Sequence, residues 1–242
     1  MQVHQRIEDY KLEELLRCPY RYHKREKNGG AGRRLNWRQH VQYAVGHIVN
    51  DYYTLPAEAR WPGVVSRLAD RRWPAGVKQF QSVEHYERTK LRAVSNLTLF
   101  LESEEGARVP MMLFEQWEAY HPDLQVNLSV IFQAVFAEGG PADTGYVIHK
   151  YVVNDDDQLF EAYGHLMTVY CSIAFPELPK RIEVLSVLNG KRHIIIPDSG
   201  SLGLSLDYMR LISGYWSESS GVKNRKRLTE CRSCPFRREC GV

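Results

Sequence analysis

Through the first hundred residues, apolar positions recur at helical spacing; beyond that they fall into strand-like runs. Residues 7–27 open with Glu8 and Asp9, place Leu12, Leu15 and Leu16 at helical spacing, and turn basic later, the order that suits a helix dipole. Pro19 interrupts that pattern just after Cys18. Residues 36–54 put Val41, Ala44, Val45, Ile48, Val49 and Tyr52 on one face. Two further helical patterns cover about 57–72 and 78–104; the second carries Leu91, Val94, Leu97 and Leu101 among many charges, as on an outer surface. Near Arg108 the period changes. Pro110–Tyr120, Leu124–Ala137 and Tyr146–Val153 are apolar, β-rich runs separated by the turns His121-Pro122-Asp123 and Glu138-Gly139-Gly140-Pro141, which predicts an antiparallel meander. Gln158–Phe175 reads as a helix, Arg181–Leu188 and Arg192–Ile196 as a hairpin around Asn189-Gly190, and Leu202–Trp216 as a final helix.

This order predicts an α/β protein forming a single domain over residues 1–242. Its helical part, about 36–106, forms an N-terminal helical arm or insertion, and its sheet core covers about 108–200. A chain of 242 residues can bury a substantial core, and 43% hydrophobic with 25% charged residues is ordinary globular composition. The start, Met1-Gln2-Val3-His4-Gln5-Arg6, has no apolar targeting core, and no uncharged run approaches a membrane-spanning length. The expectation is a cytoplasmic protein with no membrane partner.

The cysteines change the picture. Three of five fall in Cys231-Arg232-Ser233-Cys234-Pro235-Phe236-Arg237-Arg238-Glu239-Cys240, a C-x2-C-x5-C spacing. Three thiolates make an incomplete site, because structural zinc and cubane iron–sulfur clusters usually take four protein ligands. The fourth must come from Cys18 or Cys171. Cys18-Pro19-Tyr20-Arg21 has the same local pattern as Cys234-Pro235-Phe236-Arg237, whereas Cys171 lies in an apolar helical run and reads as a small core residue. Disulfides or idle thiols are the plain alternative; an odd cysteine total and the absence of a secretory signal argue against disulfides. A clamp of Cys18 with residues 231–240 would close nearly the whole chain into a loop. Closure costs several kcal/mol and grows only logarithmically with length. A structural metal can exceed that, contributing about 10–16 kcal/mol in zinc-finger peptides.

Closure also merges two basic stretches. The net charge of +3 does not by itself argue for nucleic acid, but its distribution does. Arg17, Arg21, Lys24, Arg25 and Lys27 would join Lys223, Arg225, Lys226, Arg227, Arg232, Arg237 and Arg238, with Tyr20, Tyr22 and Phe236 among them. Cations interleaved with aromatic rings are what a single-stranded nucleic acid needs. Ordinary solvated faces are the alternative.

An isolated N-terminal Cys with a C-terminal C-x2-C-x5-C, flanking an α/β core, resembles the iron–sulfur members of the RecB-like PD-(D/E)xK nuclease superfamily. These include the nuclease domain of the AddB helicase-nuclease subunit and the RecB-like CRISPR adaptation nucleases. The resemblance spans the chain, and the cysteine framework is its specific part. It implies a restriction-endonuclease-type mixed sheet flanked by helices, with a [4Fe-4S] cluster, or zinc in its place, on Cys18, Cys231, Cys234 and Cys240. The stretch Tyr10–Tyr22 also looks like the family's opening. Gly46-His47 looks like its first active-site motif, where a helix-borne His contacts the metal.

The resemblance implies DNA cleavage with one or two divalent ions held by an Asp on one strand and a (D/E)-x-K on the next. Here the first position falls on Gln133 or Phe132, and the acid of the second on Ile148; only Lys150 matches. The family's Gln-x3-Tyr helix motif is one residue too long between Gln158 and Tyr163. Amide and isoleucine cannot replace hard anionic ligands, so Mg²⁺ or Mn²⁺ at this site is doubtful. His47 and Lys150 are the catalytic remnants; a lone His is more often an ordinary helix residue. Lys150 could pair with Glu115 or Asp143. Glu115, Glu118, Asp143 and Asp155-Asp156-Asp157 are the acids that could rebuild a site, although the triplet reads better as a solvated turn. The expected function is DNA binding, to single strands or duplex ends, within a larger DNA-processing or defence complex with protein partners, and with weak or lost nuclease activity. Two alternatives stand beside it. One is an active metal-dependent DNA nuclease with relocated acids, and the other a zinc-stapled protein-interaction module.

Overall fold

Four residues, Gln5–Glu8, form β1 in the computed structural model, which describes residues 5–27, 35–103, 107–140, 145–153, 156–217, 231 and 234–240. A strand this short leaves no periodicity to read. α1 (Asp9–Arg17) follows at once. Cys18, extended at φ −162°, separates it from α2 (Pro19–Lys27). Pro19 sits where a missing N–H costs least, in a first helical turn. α3 (Trp37–Thr54) starts at a capping box between Asn36 and Gln39. α4 (Val64–Arg72) and α5 (Val83–Leu101) are shorter than their apolar patterns, because Ala57–Ala59 and Val77–Gln79 form separate 3-10 turns. The meander forms as β2 (Met112–His121), β3 (Val126–Glu138) and β4 (Gly145–Val152). After it come α6 (Asp157–Ala174), β5 (Arg181–Ser186), β6 (Arg192–Ile195), α7 (Ser199–Ser217) and the short α8 (Arg237–Cys240). The β5–β6 connection is longer than the Asn-Gly signal implies: β5 ends at Ser186, and Gly190 takes the turn's left-handed position at φ +71°.

Among the described residues this is an α/β fold with one mixed six-stranded sheet and eight α-helices. β2, β3 and β4 are antiparallel neighbours, and α6 carries the chain across to β5, which runs parallel to β4. β6 returns antiparallel at the edge. Both sheet faces are covered. Val135, Ile148 and Val184 pack with α1, α6 and α7 on one face, while Phe136, Tyr151 and Leu185 pack with α3, α4 and α5 on the other. Of the helical part, α3–α5 bury their apolar stripes on the sheet. No helix among the described residues is long and apolar enough to cross a membrane.

One detail of the sheet creates the site. β2 pairs along one edge of β3 from Val126 to Val135. The other edge is shared. β4 takes Ala134–Glu138, and β1 takes Val126–Ser129 in parallel register, with Glu8 opposite Ser129. Between them, residues 130–133 face a fork with no strand on that side among the described residues. Backbone groups there must find side-chain partners, because buried ones are rarely left unpaired.

Candidate functional site

Side chains from four elements fill the fork. Asp9, the residue after β1, reaches in: its Oδ2 accepts from the Ile131 backbone N–H at 3.1 Å and from Lys150 Nζ at 2.6 Å. Lys150 Nζ also lies 3.5 Å from the Ile131 carbonyl oxygen and 4.9 Å from the ring centre of Tyr163. Gln133 Oε1 accepts from the Tyr151 N–H at 2.6 Å. Gln42 of α3 closes the adjacent edge of β4, donating to the Tyr151 carbonyl at 2.8 Å and accepting from the Val153 N–H at 2.9 Å. Two glutamines thus stand in for the missing ladder.

The fork opens into a cavity of about 690 Å³. Asp9, Lys150 and Tyr163 are its buried floor. Among the described residues, Asp9 Oδ1 and the Tyr163 hydroxyl, both buried, have no hydrogen-bond partner. Burial, with the Asp9 carboxylate nearby, pushes the Tyr163 phenol well above its ordinary range, so it stands as a neutral donor. His47 lines the same cavity from α3. Beside it, Gly46 faces Phe114: a Cβ there would come within 3.4 Å of that ring. Phe114 holds φ +49°, costly for a bulky side chain, where β2 passes Gln133 without a ladder pair.

The register places each residue expected at an acid position. Gln133 lines the cavity, while Phe132 packs into the α6 core against Tyr170 and Phe175. Ile148 is wholly buried in that core. Of the two expected partners of Lys150, Glu115 instead accepts from the Trp117 indole N–H at 3.0 Å, and Asp143 lies outside the described residues. Asp9 takes that place. Glu118 pairs with Arg6 at 3.2 Å. Of the acidic triplet, Asp156 caps α6 through the Gln158 N–H at 3.1 Å, Asp157 begins that helix, and Asp155 lies outside the described residues. Tyr163 reaches the site from α6 whereas Gln158 stays exposed at the helix start.

The acids lining the cavity are Asp9, Glu13 and Glu14, and each already holds a cation: Lys150, Arg17 at 2.8 Å and Arg25 at 2.5 Å respectively. The expected basic surface is accordingly divided. Arg17, Arg21 and Arg25 line the cavity together with Arg38 and the exposed rings of Tyr10 and Tyr43. Lys24 instead pairs with Glu239 at 2.6 Å, and Lys27 is exposed at the end of α2. Arg237 and Arg238 are exposed on α8; Lys223, Arg225, Lys226, Arg227 and Arg232 lie outside the described residues.

The Lys24–Glu239 pair docks the tail on α2, beside Cys18. Cys18 Sγ accepts from the Arg21 N–H at 3.4 Å. Burial raises the Cys18 thiol above its ordinary value, and the neighbouring Cys240 and Cys234 raise it further. Cys231 sits one turn before Cys234, whose N–H donates to its carbonyl at 3.3 Å. Cys234 and Cys240 thus lie within electrostatic reach of Cys18, and among the described residues no three His, Cys, Asp or Glu side chains are grouped to hold an ion. Four thiols, if they converge, have the soft donor chemistry that iron–sulfur clusters or zinc take. Cys171 is fully buried in α6, its thiol pushed up to about 12 by burial, as befits a core residue.

The residues missed by sequence reasoning are Asp9, Gln42 and Glu14, for which α1 and α3 gave only helical periodicity. In comparison with known proteins, the chain matches no family model and no curated protein.

Proposed function

We propose that this chain is a nuclease-fold DNA-binding protein of the RecB-like type that has exchanged metal-dependent cleavage for binding. The observation that carries the reading is the Asp9–Lys150 pair, with Gln133 and Ile148 standing where two carboxylates would be needed. Hydrolysis of a phosphodiester by a divalent ion needs hard anionic ligands and a lysine free to act on metal-bound water. Here the lysine is held by an acid from another element, and the other cavity acids are held by arginines. Arg17, Arg21, Arg25 and Arg38 beside Tyr10 and Tyr43 supply the cation and stacking surfaces that a single strand or a frayed duplex end uses. The unpartnered Asp9 Oδ1 and Tyr163 hydroxyl give the floor one acceptor and one donor for whatever group enters.

In this reading Cys18, Cys231, Cys234 and Cys240 hold a [4Fe-4S] cluster, or zinc. That group supplies cross-linking of the chain ends and no chemistry at the cavity. Work within a larger DNA-processing or defence complex follows from the same resemblance.

The test is a paired binding and cleavage assay on labelled single strands and duplex ends with Mg²⁺ or Mn²⁺. Salt-dependent binding without cleavage is expected. The triple variant Arg17→Ala, Arg21→Ala, Arg25→Ala should weaken binding and lower the log–log salt slope by up to about 2–3. Robust cleavage that disappears in Lys150→Ala would overturn the reading in favour of an active nuclease that uses Asp9 as a relocated ligand. Absence of DNA binding would overturn it altogether.

A further inference from the structure

The cavity floor holds polar atoms that the described fold does not answer. Asp9 and Tyr163 are only 6% and 4% exposed, and both line the cavity of about 690 Å³. Among the described residues, Asp9 Oδ1 and the Tyr163 hydroxyl have no hydrogen-bond partner. Such atoms are costly to bury, so a fold that keeps two of them together points to something that enters and bonds them. The other Asp9 oxygen is taken up by the Ile131 N–H and Lys150, and Gln133 Oε1 by the Tyr151 N–H. The floor thus presents one acceptor and one donor side by side with a closed ion pair.

The chemistry of that pair of atoms selects the guest. The Tyr163 phenol is held neutral by burial and by the Asp9 carboxylate, so it donates. Asp9 Oδ1 belongs to a carboxylate already matched by Lys150. A backbone phosphate suits neither need. It is anionic and offers acceptors only, so it would be repelled by Asp9 and would leave Oδ1 unanswered. A nucleobase edge is neutral and carries a donor next to an acceptor. Adenine has N6–H and N1, cytosine N4–H and N3, guanine N1–H and O6, and thymine N3–H and O4.

The walls suit a flat ring with its phosphate held farther out. Phe114 lines the cavity with its backbone in the left-handed region at φ +49°, and Gly46 leaves room for that ring. Strain of this kind is kept where the position of a side chain matters. Arg17, Arg21, Arg25 and Arg38 are half-buried, less deep than the floor, and Tyr10 and Tyr43 are exposed beside them. Cations therefore stand outside and neutral hydrogen-bonding groups inside. A cavity of this size also encloses a base with its sugar.

We propose, on the nucleic-acid reading above, that the cavity takes one unstacked nucleobase, whose N–H donates to Asp9 Oδ1 and whose acceptor receives the Tyr163 hydroxyl, while its phosphate stays at the half-buried arginines. Single strands and frayed ends are favoured because their bases are already close to unstacked.

Tyr163→Phe tests it, since it removes the donor and keeps the ring. The variant should melt at or above the wild-type temperature, because the hydroxyl has no partner in the described fold. A clearly lowered melting temperature would overturn the proposal by showing that the hydroxyl is bonded within the fold. Affinity is then measured for two eight-residue strands, one containing all four bases and one made only of abasic deoxyribose phosphate. Tyr163→Phe should weaken the first about fivefold and leave the second unchanged. Equal losses on both strands would place the hydroxyl on sugar or phosphate, and no loss on the first would leave the cavity without a base; either overturns the proposal. Should the wild type bind neither strand, the DNA-binding reading fails, and the four uncharged deoxynucleosides decide the base site alone. A nucleoside that raises the melting temperature of the wild type but not of Tyr163→Phe would uphold it, and no such nucleoside would overturn it as well.

Discussion

Asp9 and Lys150 are 141 positions apart in sequence, yet their side chains meet at 2.6 Å in the floor of the cavity, with the Asp9 side chain fully buried. The contact exists because β1 ends one residue before Asp9, opposite Ser129, and so delivers a carboxylate to the unpaired segment of β3. A buried pair of this kind is costly to break, because the survivor is left as an uncompensated charge. Asp9→Ala and Lys150→Met should each lose about 3–5 kcal/mol in urea denaturation. The double variant should lose clearly less than the two added together. Additive losses would mean that the two groups are not coupled.

Gln42 offers a separate test of the fork. Its side chain holds both the Tyr151 carbonyl and the Val153 N–H. Gln42→Leu keeps the bulk and leaves both backbone groups unanswered, at about 1–3 kcal/mol each. Hydrogen exchange at Val153 should quicken in the variant while exchange in the β4–β5 ladder stays near that of the wild type. Unchanged protection at Val153 would contradict this role for Gln42.

How much of this was readable beforehand depended on the distance over which each feature is determined. The meander, α3 and α6 announce themselves through local periodicity, and Gln133 and Lys150 stand out as polar residues in apolar frames. Asp9 gave no such sign. As an acid in a first helical turn it has a sufficient local explanation, and only the pairing of Glu8 with Ser129 directs it into the sheet. β1 escaped for the same reason: its four residues have a partner but no period. The basic stretch was legible as charge but not as surface, because Glu13, Glu14 and Glu239 occupy Arg17, Arg25 and Lys24.

The cysteine reading makes a chemical prediction. Anaerobically purified protein should be brown and contain about four irons per chain. Zinc instead of iron would refute the cluster but keep the clamp. Cys18→Ser should lower the melting temperature as much as Cys231→Ser, since each removes one ligand of the same link, while Cys171→Ser should leave metal content unchanged. Loss of metal in Cys171→Ser would show a different fourth ligand.

Stability should also depend on pH through His165. Its Nδ1 lies 3.0 Å from the Ser205 hydroxyl, and its ring stacks on Tyr208 with centres 4.5 Å apart, at the α6–α7 contact. Burial holds its pKa below 6.5, partly opposed by Glu161. The folded state therefore prefers neutral imidazole. The stabilisation is full above the unfolded value near 6.5 and declines as pH falls below it. His85 and His121 are lowered in the same direction, so they steepen the decline. His165→Gln should flatten the fall in melting temperature between about pH 6.5 and 5. An unchanged profile would remove His165 from the account.

The parallel pairing of β1 with β3 also sets an order of events. The first strand of the chain can find its place only after residue 126 has been made. At ribosomal rates of about 5–20 residues per second, Gln5–Glu8 waits on the order of ten seconds for its partner. The cavity floor is thus assembled late, from the two ends of a long span, during which Asp9 and Lys150 are both in water. Contacts of such separation slow folding, because the connecting chain must be ordered before they form. Any extension fused ahead of Gln5 would be carried into that pairing step, so the placement of an affinity tag bears directly on whether the fork closes.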